Sequence, residues 1–267
     1  SPRISVSARA NPESLAVAIP KPRGIRRIFM LGESAAHGDP EPAFGCARIL
    51  EVLLQARDPG QRFEVVNVAV TAINSHVIRY IARDCAARQG DVWVIYMGNN
   101  EVIGPFGAGT VFGAQVSSPG FIRASLALKA TRVGQLLDTF HWQLAGAKVP
   151  KAWEGMEMFL DQQVRLTDPR LPAVYAAFQR NLEAILDQAQ AAGARVLLST
   201  VASNLKDCPP FASLHRADLS DAQRAEWQRH FQVGTNRQAA GNLAAAAEAY
   251  RHALGVDDAF AELWFRM

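Results

Sequence analysis

The sequence predicts an α/β protein: a three-layer domain built on a parallel sheet, followed by a helical segment of different composition. Two observations carry that expectation. Four apolar runs rich in β-branched residues alternate with stretches of helical period, and from residue 221 on the composition turns alanine-rich. Strand, helix, strand, helix, strand is the order of a parallel sheet with crossover helices.

The strands are RRIFMLG (26–32), FEVVNVAV (63–70), DVWVIYMG (91–98) and ARVLLSTV (194–201), and their near-continuous apolarity predicts cover on both faces. PAFGCARILEVLLQARDPG reads as a helix stopped at Asp58-Pro59-Gly60, and NSHVIRYIARDCAARQG as one capped by Asn74 or Ser75 and ended at Gly90. Between the third and fourth strands FIRASLALKATRVGQLLDTFHWQLAG reads as a helical insertion, about 121–165, and LPAVYAAFQRNLEAILDQAQAAG as the true crossover. Gly104, Gly107, Gly109 and Gly113 mark a flexible loop ahead of the insertion. The expected organisation is an N-terminal arm (1–25), an α/β domain (26–215) and a helical segment (221–267).

The chain is 49% hydrophobic and long enough to bury a full core, and a net charge of +3 from 28 basic and 25 acidic residues does not single out nucleic acid as a partner. Arg3, Arg9, Lys21, Arg23, Arg26 and Arg27 crowd the start and read as a solvated arm. Cys46, Cys85 and Cys208 have no framework or zinc spacing and read as buried thiols, so they leave the compartment open. No apolar run approaches the roughly 20 residues of a spanning helix. GPFGAG lacks the strand-to-helix context of a dinucleotide fingerprint, and neither a phosphate-loop lysine nor a metal cluster is present, so no cofactor is expected.

In an open α/β sheet ligands bind beyond the carboxyl ends of the strands. The first three strands end in Gly32-Glu33-Ser34, Asn67-Val68-Ala69 and Gly98-Asn99-Asn100-Glu101. A serine at a helix start is most simply a cap. Three polar groups at three consecutive strand ends suggest instead a nucleophile, Ser34, with an oxyanion hole from the Ser34 and Ala69 N–H groups and the Asn100 amide. A nucleophile elbow of the classical α/β-hydrolase kind is ruled out by Ala36, where a glycine is needed.

FMLGESAAHG, VVNVAVTAINS and YMGNNE resemble the first three sequence blocks of the SGNH, or GDSL-like, hydrolases over roughly residues 26–101. The resemblance implies a flavodoxin-like parallel sheet, with Ser34 as nucleophile, Ala69 where the family has an oxyanion glycine, and Asn100 as the asparagine of the third block. Glu33 and Glu101 stand where the family has aspartates. It implies a serine esterase or deacylase working through an acyl-enzyme on a small acyl ester of a sugar or lipid, with O-acyl transfer as a variant. A non-catalytic binding module on the same fold is the rival. By the same analogy the parent protein is extracytoplasmic or membrane-anchored.

The family's Asp-x-x-His pair after the last strand is not found. Asp138-Thr139-Phe140-His141 has the spacing but falls inside the insertion. His37 lies three residues after Ser34, where a helix N-terminus disfavours an imidazolium. His215 follows the fourth strand but has no aspartate three residues before it, and His76, His230 and His252 read as helix-surface residues. Trp93, Trp142 and Trp153 read as packing aromatics, and Asn67 and Asn74 as turn and cap residues.

Val233-Gly234, Gly241, Ala246, Tyr250 and Ala253-Leu254 resemble the offsets of a tetratricopeptide repeat, with Asp258 in its proline position and Trp264 and Met267 in the next period. The expectation is a repeat segment inserted ahead of the last strand, a protein partner on the repeats, and a base histidine downstream of Met267.

Overall fold

The computed structural model describes residues 16–111, 115, 118–137, 156–204 and 206–267. The chain divides into two compact units, Ser1–Val201 and Ala202–Met267.

The first unit is a parallel sheet of β1 (Ile25–Gly32), β2 (Arg62–Asn67), β3 (Val92–Tyr96) and β4 (Arg195–Ser199), in the order β2-β1-β3-β4. That is the flavodoxin-like order over these strands. Central β1 pairs with β2 from Ile25↔Arg62 to Met30↔Asn67, and with β3 from Ile28↔Val92 to Gly32↔Tyr96. This register brings the three carboxyl ends level.

Alternation along the strands sorts the side chains into two layers. Phe29, Leu31, Val66, Trp93 and Ile95 face one side, against Ile78 and Ala82 of α3 (Ser75–Ala86) and Ile185 and Ala189 of α5 (Leu171–Ala191). Met30 faces the other side with Ala36 of α1 (Ser34–His37) and Ala47 of α2 (Cys46–Arg57). Helices cover both faces, as expected. The Asn74 side chain caps α3 by accepting the His76 N–H.

β4 departs from the expectation of two-sided cover. Among the described residues it pairs only with β3, at the edge of the sheet, and Leu197 and Leu198 are about half exposed. The 121–146 pattern also breaks: α4 spans Pro119–Lys129, Thr131 interrupts it, and helix resumes over 132–137. The rest of that pattern, with Asp138, His141 and Trp142, lies outside the described residues, as does Trp153 after it.

The arm is not simply solvated. Lys21 Nζ donates to both oxygens of Asp91, and the fully buried Arg27 donates to Glu64 at 2.6 Å and to the Arg88 and Ala18 carbonyls. The glycine loop is likewise packed: Ala108 is fully buried and Gly104 N–H donates to the Asn100 carbonyl. Gly113 lies outside the described residues. Of the thiols only Cys85 is buried, its pKa pushed up to about 12 by burial; Cys46 and Cys208 are exposed.

The second unit is a hairpin of α6 (Asp221–Ala239) and α7 (Leu243–Val256) followed by α8 (Ala261–Arg266). Its core gathers Trp227, Ala246, Tyr250, Ala253 and Leu263. Ser220 and Gln223 form a capping box on α6. Gly234 lies against the Tyr250 ring, where a Cβ would stand 2.3 Å from a ring carbon.

Candidate active site

The site grows from a close approach of β1 to β3. A Cβ on Gly32 would lie 2.0 Å from the Tyr96 carbonyl, so only glycine lets β1 turn into α1 there. Glu33 follows, fully buried, and its carboxylate reaches across the sheet end to accept the Gly98 N–H at 3.2 Å and the Asn100 N–H at 2.9 Å. Gly98, at φ +125°, supplies the turn that aims both groups at it. Glu33 thereby ties the loop carrying Asn100 to the loop carrying Ser34.

Burial raises the Glu33 carboxyl to about 7 from 4.5, against the opposing hydrogen bonds from the loop and helped by the nearby Glu101 charge. Glu101 is itself buried, its pKa raised by burial while the Ser75 N–H and hydroxyl, both at 2.8 Å, pull it down. The two glutamates are thus braces beneath the site rather than solvent-facing groups.

Ser34 opens α1, and with Asn100 it lines a cavity of about 180 Å³. Asp39, Thr71, Ala72, Ile103, Gly104 and Phe159 complete its wall. Asn100 Nδ2 donates one hydrogen to the Ile73 carbonyl at 2.9 Å, which leaves the second amide hydrogen available. Ala72 takes a left-handed φ of 60°, an uncommon conformation for a residue with a Cβ.

Ala69 is placed differently. It is buried outside the cavity wall, and its N–H meets Asn67 Oδ1 at 3.2 Å. Asn67 also donates from Nδ2 to the His37 carbonyl, so this side chain couples the end of β2 to α1.

The histidines fall into separate settings. His37 closes α1, so the objection based on a helix N-terminus does not hold for it. Its Nδ1 stands 2.9 Å from Asp39 Oδ1, while Thr71 Oγ1 donates to Asp39 Oδ2 at 2.5 Å. Sequence reading passed over Asp39 and Thr71; the only local signal was a carboxylate two residues after a histidine. Phe159 carried no signal. Among the described residues no hydrogen bond joins Ser34 Oγ to an imidazole.

His215 belongs to the second unit and does have an acidic partner, from far along the chain. Its Nδ1 is 2.7 Å from Oδ2 of the fully buried Asp257, and its ring lies between Trp227 and Phe260, each at 4.6 Å. Burial pushes the Asp257 carboxyl up, but hydrogen bonds from the Ala259 N–H and His215 outweigh it and hold the pKa below its ordinary value. His76 is not a free surface residue: it is half-buried and bonded to Asn181 at 3.0 Å. His230 and His252 stack on each other at 5.3 Å. His141 lies outside the described residues. No group of three or more metal-ligating side chains occurs among the described residues, and no described helix is long and apolar enough to cross a membrane.

No family model and no curated protein matches the chain. Among solved structures it is similar to the crystal structure of TesA, at 15% identity over 86% of this chain and 73% of that one, with a TM-score of 0.36. So loose a likeness carries no residue correspondence. The class defined by the coordinates themselves is an α/β protein on a parallel sheet, with a polar cavity at the strand ends.

Proposed function

We propose that the chain carries the nucleophile and oxyanion site of a serine ester hydrolase of the SGNH kind. The observation that carries the reading is the meeting of Ser34 and Asn100, from the ends of β1 and β3, on the wall of one small cavity. At about 180 Å³ it is smaller than the pockets of roughly 300–1,000 Å³ that enclose drug-sized ligands, which suits a short acyl group.

In this reading Ser34 Oγ attacks the ester carbonyl, and its proton passes to a histidine. The negative oxygen is met by the Ser34 N–H and the free hydrogen of Asn100 Nδ2. Ala69 joins them if the Asn67 carboxamide turns away and releases its N–H. The alcohol leaves with the proton, and water then resolves the acyl-Ser34 ester; an acceptor alcohol in place of water makes the same site an O-acyltransferase. The candidate bases within this chain are His37, His141 and His215, and His37 is the one paired with an acid, Asp39, that lines the Ser34 cavity. The ester's sugar or lipid alcohol and the partner of the helical unit belong to the same proposal.

The test is hydrolysis of a short-chain activated aryl ester by the protein. Ser34→Ala, Asn100→Ala, His37→Ala, His141→Ala and His215→Ala are compared in parallel. Expected are loss of the rate with Ser34→Ala and a fall of about a hundredfold to a thousandfold with Asn100→Ala. Dependence on one of the three histidines identifies the base, and indifference to all three excludes them from that role. A rate unchanged by Ser34→Ala, or no rate at all, overturns the proposal.

A further inference from the structure

A second polar feature of the first unit lies outside the Ser34 cavity. His76 and Arg79 of α3, Arg123 of α4, and Arg180 and Asn181 of α5 line one cleft among three helices. No carboxylate is among its lining residues. Among the described residues neither Arg123 nor Arg180 makes an ion pair or side-chain hydrogen bond, and both are exposed. Among the described residues Arg79 reaches the neighbouring Tyr80 alone, by a 3.4 Å contact to its hydroxyl and by its ring.

Three arginines line this one cleft and, among the described residues, no acid lines it with them, so an anion entering it meets only positive side-chain charge. Two of these charges are felt inside the cleft: burial first, then the Arg79 and Arg180 guanidinium groups, lower the His76 pKa from 6.5 to about 4. His76 is therefore neutral at neutral pH and has one ring N–H. The Asn181 amide can only donate to Nδ1, so the N–H sits on Nε2, and the cleft offers a neutral donor beside its cations. The same Asn181 nitrogen donates to Ser75 Oγ, which donates to Glu101, so buried hydrogen bonds fix the imidazole.

We infer that this cleft binds a phosphoryl group through Arg79, Arg123 and Arg180, with His76 Nε2–H as a hydrogen-bond donor. A phosphate monoester dianion presents oxygens to several guanidinium forks at once, whereas a single carboxylate leaves at least one of the three unmatched. The space inside the cleft is only about 10 Å³, so it takes a terminal group standing at the surface, not an enclosed molecule. The phosphoryl group belongs either to free phosphate or to a phosphorylated small molecule.

Inorganic phosphate, glycerol 3-phosphate and acetate are titrated against the protein at pH 7.5 in low salt, with binding read by calorimetry and by the shift of the His76 ring resonances. Expected is saturable binding of phosphate at about 0.1–10 mM, with acetate much weaker. The double variant Arg123→Gln, Arg180→Gln, altered only at exposed positions, is expected to weaken it by about tenfold or more. Tighter binding of glycerol 3-phosphate marks a phosphorylated molecule as the source; equal binding marks free phosphate. No saturable binding, binding that leaves His76 unmoved, or binding unchanged in the double variant overturns the inference. Because the readout needs no turnover, its failure and that of the ester reaction are separate results.

Discussion

Replacing Glu33 by glutamine isolates one buried proton. The folded chain raises this carboxyl from 4.5 to about 7, a difference that corresponds to about 3 kcal/mol between the two protonation states. Between those values the folded protein keeps a proton that the unfolded chain has released. The favourable contribution is therefore complete below pH 4.5 and is lost as pH rises through 7. His76 acts in the opposite sense: its folded pKa of about 4 lies below 6.5, so the unfolded chain binds the extra proton and stability rises across that window. The two slopes oppose each other in the parent protein, and Glu33→Gln removes only the first. Glutamine also leaves one of the Gly98 and Asn100 N–H groups unmatched, a penalty of about 1–3 kcal/mol that does not vary with pH. Urea unfolding of parent and variant at fixed steps of pH gives the difference directly, and the second unit, untouched by the substitution, drops out of it. The parent's stability relative to the variant should fall by about 3 kcal/mol between pH 4.5 and 8. Parallel profiles would refute the reasoning, because Glu33 would then be neither protonated in the fold nor linked to its stability.

Two further substitutions test the packing. Arg27→Met should destabilise the first unit by about 2–3 kcal/mol in urea unfolding, because it leaves the Arg88 and Ala18 carbonyls without their donor and takes the partner from a Glu64 that is only partly buried; a loss under about 1 kcal/mol would mean that the pair is merely tolerated. Gly234→Ala should lower the melting temperature of the second unit: a Cβ placed 2.3 Å from the buried Tyr250 ring puts the overpacking cost toward the upper end of about 1–3 kcal/mol, above the gain of about 1 kcal/mol in helix propensity. A higher melting temperature would show that the two helices separate at little cost.

The strands and the crossover helices were legible because each is a local pattern: an apolar run, a cap such as Asn74, a stop such as Asp58-Pro59-Gly60. Ser34 and Asn100 were legible because strand ends in a parallel sheet share one edge, and the structure brings both to one cavity. What escaped were pairings across long stretches of chain. Glu33 reaches the backbone 65 residues on, and His215 pairs with an aspartate 42 residues on, where a search for Asp-x-x-His could not look. Arg27 was read as solvated because a cation beside other cations looks exposed; its carboxylate comes from the neighbouring strand. β4 was read as covered because its composition matches the central strands, and composition does not say how many neighbours a strand has.

That last strand has a practical consequence for anyone handling residues 1–267. Among the described residues its outer row of amides and carbonyls pairs with no further strand, and with half-exposed leucines on both faces such an edge is a template for edge-to-edge growth between molecules. Neither lysine nor proline interrupts Arg195–Ser199 as a gatekeeper. Slow loss of soluble protein at high concentration would then begin at this strand, and a lysine in place of Leu197 is the first substitution to make before a sample is concentrated.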